Sequence, residues 1–205
     1  MKRPNYLQET KNRIDAIESG SVFIASDFAD IAETKRISEC LERLHGDGTI
    51  KRVLRGVYYK PEFSELLGEY IAPFPDNVAH AIARNYGWTI VPCGDTALNL
   101  LGLSTQIPSR WLYICDGAYK EYAYDNTTIK FKRTTNKEIS NLSFKTTLTI
   151  QALKALGREN ITCSVINKLK RELTAEEKKK MLIESKQATS WVYEFIKSIC
   201  KDEEK

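Results

Sequence analysis

Between Thr34 and Lys60 the hydrophobic pattern changes from a helical period to an alternating one across a pair of glycines, and this switch constrains the fold more than any other feature. Ile37, Cys40, Leu41 and Leu44 recur at the spacing of one helix face. Gly46-Asp47-Gly48 follows as a stop. Ile50 to Lys60 then reads as two β-branched and aromatic strands around a tight Arg55-Gly56 turn. Thr34 is expected to cap the helix, which runs to about His45.

Two helical patterns precede it. Leu7, Ile14 and Ile17 fall at turn-compatible intervals before Ser19-Gly20, and a short helix fits Ser26 to Ile31, with Ser26 as its cap. Helix, helix, helix, hairpin is the order of a winged helix-turn-helix, expected over residues 1–60. In that arrangement the N-terminal residues of the last helix meet base edges and phosphates. The residues expected there are Thr34, Lys35, Arg36, Ser38 and Arg43, with Glu39 also within reach. Lys51, Arg52 and Arg55 fall on the hairpin, where a wing lies along a phosphate backbone.

Charge distribution supports this reading better than net charge, which is only +4. Residues 34–60 carry 7 basic and 3 acidic side chains, whereas residues 61–117 carry 2 and 6. Double-stranded DNA is therefore expected to meet the first block.

Pro61 to Pro75 holds three prolines and reads as a linker over 61–75, with a short helix near Ser64 to Tyr70. Residues 76–205 then form a second domain of mixed α/β character with a helical C-terminal region, making the whole chain α+β. Asp76 is expected to cap a helix to about Tyr86, and Asp95 to cap one that Gly102 ends. Trp88–Val91, Trp111–Cys115 and Thr127–Arg133 read as strands. Helices are expected near 144–156 and 164–173, Thr174 to Glu177 is a capping box, and Trp191 to Ile199 lie on a last amphipathic helix. On the third strand Lys130, Lys132 and Arg133 offer a possible second basic surface.

Catalysis has little to work with. Five cysteines are widely spaced with no C-x-x-C pair, and His45 and His80 are the only histidines, so neither a zinc site nor a disulfide framework is expected. No paired carboxylates, Walker motif or G-x-G-x-x-G occurs, and no enzyme activity, metal or cofactor is expected. No stretch approaches the roughly 20 apolar residues of a membrane span. The basic start Met1-Lys2-Arg3 leads into a polar pattern where a signal peptide has an apolar core, which points to the cytoplasm.

The order of parts resembles the AbiEi-type antitoxins of abortive-infection toxin–antitoxin pairs. The resemblance is carried by Arg55-Gly56-Val57-Tyr58-Tyr59, Ala81-Ile82-Ala83-Arg84, Gly87-Trp88, and the run from Gly94-Asp95-Thr96 to Gly102-Leu103. It covers most of residues 5–160. It implies an N-terminal domain that binds operator repeats and represses its own operon, a C-terminal antitoxin domain, and a neighbouring nucleotidyltransferase-fold toxin as partner. The alternative is a stand-alone winged-helix regulator whose second domain senses a ligand or oligomerises. An adjacent nucleotidyltransferase-like gene would favour the antitoxin.

Overall fold

The computed structural model of the chain describes residues 5–134 and 142–201; the basic start lies outside them. The protein is α+β and divides into two compact units, Met1–Gly87 and Trp88–Lys205.

The first unit opens with α1 (Tyr6–Ala16), whose first turn is tied by the Asn5 carboxamide accepting from the Gln8 amide at 3.2 Å. Strand β1 (Val22–Ile24) follows, then a 3-10 turn (Ala25–Phe28), α2 (Thr34–Gly46), β2 (Lys51–Leu54) and β3 (Val57–Tyr59). The turn is tied by the Asp27 carboxylate accepting from the Ile24 amide at 3.0 Å; Ile24 holds the cap position, and Ser26, expected there, lies inside the turn. Likewise Thr34 is the first residue of α2 and not its cap; Glu33 holds that position without a side-chain bond.

The three strands form an antiparallel sheet in the order β1-β3-β2. Because β3 is the middle strand, Val57, Tyr58 and Tyr59 are all buried, whatever face they point to. Ile14 from α1, Phe23, Phe28, Ile37, Leu41 and Leu44 from α2, Ile50 and Tyr58 make one core. Each such side chain removed from water contributes about 1.5–3 kcal/mol. Gly56, at φ +78°, makes the tight turn between β2 and β3.

Segment 61–75 departs from expectation. Residues 64–70 form no helix; β4 (Glu62–Ser64) and β5 (Glu69–Ile71) pair antiparallel as a second hairpin. Gly68, at φ +68°, donates its amide to the Ser64 carbonyl at 2.8 Å, and this closure turns the chain back before a helix can start. The following helix, α3 (Pro75–Tyr86), has Pro75 in its first turn, Asp76 inside it, and a left-handed Gly87 as stop. This helix packs on β1 and belongs to the first unit, so the division falls at Gly87 and not within 61–75.

The second unit is built on a four-stranded sheet ordered β6-β7-β9-β8, comprising β6 (Ile90–Pro92), β7 (Arg110–Cys115), β8 (Lys120–Tyr124) and β9 (Thr127–Arg133). β7 and β9 run parallel; the other pairs are antiparallel. Trp111 and Tyr113 lie beside Ile129 and Phe131 on one face, all fully buried. Between β6 and β7 lies α4 (Asp95–Leu100), with Gly94 at the cap position in a backbone conformation that suits only glycine; Asp95 is the first helical residue. Val91, Ala97 and Ile114 pack with Leu148 and Ala152 of α5 (Phe144–Leu156).

Three further helices, α6 (Cys163–Arg171), α7 (Ala175–Glu184) and α8 (Ser190–Cys200), complete the unit. Their core joins Leu153 of α5 to Leu169, Met181, Val192, Ile196 and Ile199. The expected capping box opens α7, with Thr174 and Glu177 bonding each other's backbone amides. Four of the five cysteines are buried thiols and Cys163 is exposed. No helix among the described residues is long and apolar enough to cross a membrane.

Candidate nucleic-acid interface

Helix α2 is amphipathic because its apolar residues occupy one arc. With Ile37, Cys40, Leu41 and Leu44 buried, a turn of 100° per residue sends Lys35, Glu39 and Glu42 outward. Ser38 and Glu42 lie toward one flank, Arg36 and Arg43 toward the other. Lys35, Arg36, Glu39, Glu42 and Arg43 are exposed, as is Thr34; Ser38 is half-buried and donates its hydroxyl to the Thr34 carbonyl at 2.9 Å. The Cys40 thiol is pushed up by burial, against the nearby Arg43 charge, and stays protonated in the core.

The helix and the first hairpin frame one groove. Ser38 and Glu42 of α2 line it together with Arg52, Leu54, Arg55 and Gly56 of the hairpin. Arg52 and Arg55 are exposed. The β2–β3 ladder shifts register between Arg52 and Leu54, an irregularity that bends the strand next to its turn. Tyr58 anchors the hairpin from beneath as part of the core, and its hydroxyl is pushed up, first by burial and then by Glu42.

Lys51 stands apart. It precedes Arg52 in β2, and its ammonium lies 3.4 Å from the centre of the Tyr70 ring of β5. The structure therefore brings Ser38, Arg52 and Arg55 to one groove, leaves Lys35, Arg36 and Arg43 exposed on the rest of α2, and engages Lys51 with the second hairpin. Glu42, which the sequence reading did not single out, lines the groove with the two arginines. Its signal was its place one turn after Ser38.

The second basic surface is divided. In β9, Lys130 and Lys132 sit beside Leu112 and Ile114 of β7, whereas Arg133 sits beside Cys115 and so points to the opposite face. Lys130 is half-buried and bridges to Glu121 of β8 at 2.9 Å. Lys132 and Arg133 are exposed.

A cavity of about 420 Å³ in the second unit was not anticipated either. Ile150, Gln151 and Lys154 of α5 line it with Ile183 and Glu184 of α7 and the turn after it. Gln151 is only 9% exposed. Glu184 Oε2 accepts from the Ser143 amide at 2.9 Å and hydroxyl at 2.7 Å. Burial pushes this carboxyl up, but hydrogen bonds from Thr146 and Ser143 outweigh it and hold it below the usual carboxylate value. Among the described residues no cluster of His, Cys, Asp or Glu is suited to a metal ion.

The model of a family of unknown function, DUF6088, matches residues 9–182. No curated protein matches the chain.

Proposed function

The chain belongs to the family of unknown function DUF6088, and from that premise we propose that it is a DNA-binding antitoxin whose first unit works as a winged helix-turn-helix. The observation that carries the DNA-binding half is the shared groove: α2 and the β2–β3 hairpin meet along it, with Arg52 and Arg55 exposed at one wall. A duplex lying there would set the outward face of α2 toward base edges, with Lys35 on that face and Arg36 and Arg43 on the flank away from the groove, and the hairpin arginines toward phosphates. Glu39 and Glu42 lower the gain from a phosphate backbone alone. Carboxylates on such a face suit acceptance from cytosine amino groups, which makes binding sequence-dependent rather than general.

The antitoxin half rests on the resemblance to AbiEi-type proteins. On this reading the DNA is the protein's own promoter, with inverted repeats, and the partner is a nucleotidyltransferase-fold toxin encoded beside it. The site of action is the cytoplasm.

Two measurements test the halves separately. A mobility shift with the promoter should be lost in the Arg36→Ala, Arg55→Ala double variant; retained binding removes the site assignment. Expression of an adjacent nucleotidyltransferase-like gene without this protein should arrest growth, and normal growth removes the antitoxin role.

One observation favours a second reading, a stand-alone regulator with a ligand-sensing second unit. It is the cavity whose wall holds the buried Gln151 amide. A small molecule that changes promoter affinity in wild type, but not in Gln151→Leu, would select it.

A further inference from the structure

The second hairpin carries an exposed apolar surface. Leu66 and Leu67 occupy its turn and are 93% and 65% exposed. Phe63 and Tyr70 on one face of the hairpin, Ile71 on the other and Phe74 beyond its exit are 41–53% exposed. Turns ordinarily place Gly, Asn, Asp or Pro at their tips, because those residues suit the backbone and stay hydrated. Two leucines there supply neither advantage to the isolated fold. Single exposed apolar residues need no explanation, but two adjacent leucines at the tip of a hairpin that also exposes the Phe63–Tyr70 pair are a concentration of the kind that marks an interaction site.

The mount is ordered. The Ser64 hydroxyl accepts from the Leu67 amide at 3.3 Å, complementing the Gly68 closure of the turn. Phe63 and Tyr70 meet edge to face with centroids 5.2 Å apart, and Lys51 caps the Tyr70 ring. The apolar tip is thus presented on a fixed base, at low entropic cost to a binding partner.

Charge selects the partner. Glu62, Glu65 and Glu69 are exposed on the hairpin, residues 61–75 contain no lysine or arginine, and Lys51 on the Tyr70 ring offsets one of the three carboxylates, so the net charge there is negative. We propose that the β4–β5 hairpin is a docking element for another protein, which receives Leu66 and Leu67 in an apolar groove rimmed by lysine or arginine. Nucleic acid or an anionic lipid surface would set like charge against like. A second copy across a two-fold axis would bring two sets of three carboxylates together. A basic-rimmed groove pairs the carboxylates, which speeds encounter and excludes wrong partners, while the leucines supply the buried contact. None of the hairpin's own residues lines the groove between α2 and β2–β3, so this surface is separate from the proposed DNA site.

The test begins with a photo-crosslinking phenylalanine analogue at Leu66 of the full chain in its native cells, with Lys11 of α1 as the control position. The captured protein is then produced alone and titrated against wild type, Leu66→Ser/Leu67→Ser and Glu65→Lys/Glu69→Lys, each checked for an unchanged melting temperature. The expected result is a defined complex weakened at least tenfold by the leucine pair at any salt, and by the charge reversal at low salt only. Promoter binding should be the same in all three proteins, which keeps this outcome distinct from the fate of the DNA reading. The inference is overturned by any of four results: no Leu66-specific crosslink, crosslinks confined to copies of this chain, leucine-dependent sedimentation with phosphatidylglycerol vesicles, or a partner indifferent to both variants.

Discussion

Arg84 grips the Asp27 carboxylate with two nitrogens, Nε at 3.0 Å and Nη2 at 2.9 Å, and so ties α3 to the 3-10 turn ahead of α2. Asp27 also accepts from the Ile24 amide, and Nη2 reaches the Val22 carbonyl at 3.3 Å. One guanidinium therefore joins residues 57 to 62 positions apart in sequence. The pair is partly solvated, so Arg84→Met should cost about 1 kcal/mol of stability, at the upper end for an exposed ion pair. Urea denaturation of the full chain reads this directly; an unchanged midpoint would mean that the bridge contributes nothing.

The three cations of the first hairpin, Lys51, Arg52 and Arg55, should not behave alike toward DNA. Under the proposed function, Arg52→Ala and Arg55→Ala should each flatten the log–log salt dependence of promoter binding by about 0.9 unit. Lys51→Ala should leave that slope almost unchanged, because its ammonium sits on the Tyr70 ring. Equal losses for all three would show that Lys51 leaves the ring to reach a phosphate.

How much was legible in the sequence depended on whether a segment carried its own signal. Helix α2 announced itself through four apolar residues on one arc, and the Arg55-Gly56 turn through its composition and flanking strands. Strand β1 is three residues long and exists because β3 offers it an edge; nothing within Val22-Phe23-Ile24 shows that partner. Strand β8 was missed because Lys120-Glu121-Tyr122-Ala123-Tyr124 mixes charge and aromatics, and its pairing with β9 supplies the order. Residues 64–70 contain good helix formers, so local preference pointed the wrong way; closure at Gly68 and the Phe63–Tyr70 contact decided the outcome. Of the interface, the cations were readable as types in a pattern. Their division between the groove, the outer face of α2 and the Tyr70 ring is a tertiary fact.

Two glycines should differ sharply in their tolerance of alanine. At Gly56 a new Cβ would meet nothing within 4 Å, so only the positive φ opposes it, at a cost of about 1 kcal/mol. At Gly117 the Cβ would collide with the indole of Trp88. Gly117→Ala must displace a large ring and should cost about 2–3 kcal/mol or more. Thermal melts of the two variants give the order, and a Gly117 variant as stable as wild type would contradict the packing.

Acid should act through Glu184. Its carboxyl sits below its ordinary value in the folded chain, so its contribution is complete above the unfolded value and is lost as pH falls through the folded one. Wild type should therefore lose more stability than Glu184→Gln below about pH 4.5. Above that pH the Gln variant should be the weaker of the two, because the Ser143 amide and hydroxyl lose an ionised acceptor. Parallel denaturation series at neutral and acid pH test this convergence; curves that keep a constant separation would refute it.

The central place of β3 divides the first hairpin into a part that can change and a part that cannot. Val57 to Tyr59 are enclosed between two strands, and a residue inserted there would flip every following side chain to the wrong face. At Arg55-Gly56 the chain is in solvent, and doubling the length of such a loop costs only about 0.6 kcal/mol. Descendants of this sequence are thus free to lengthen, shorten or recharge the tip while its root stays constant, which lets target preference diverge without refolding the domain.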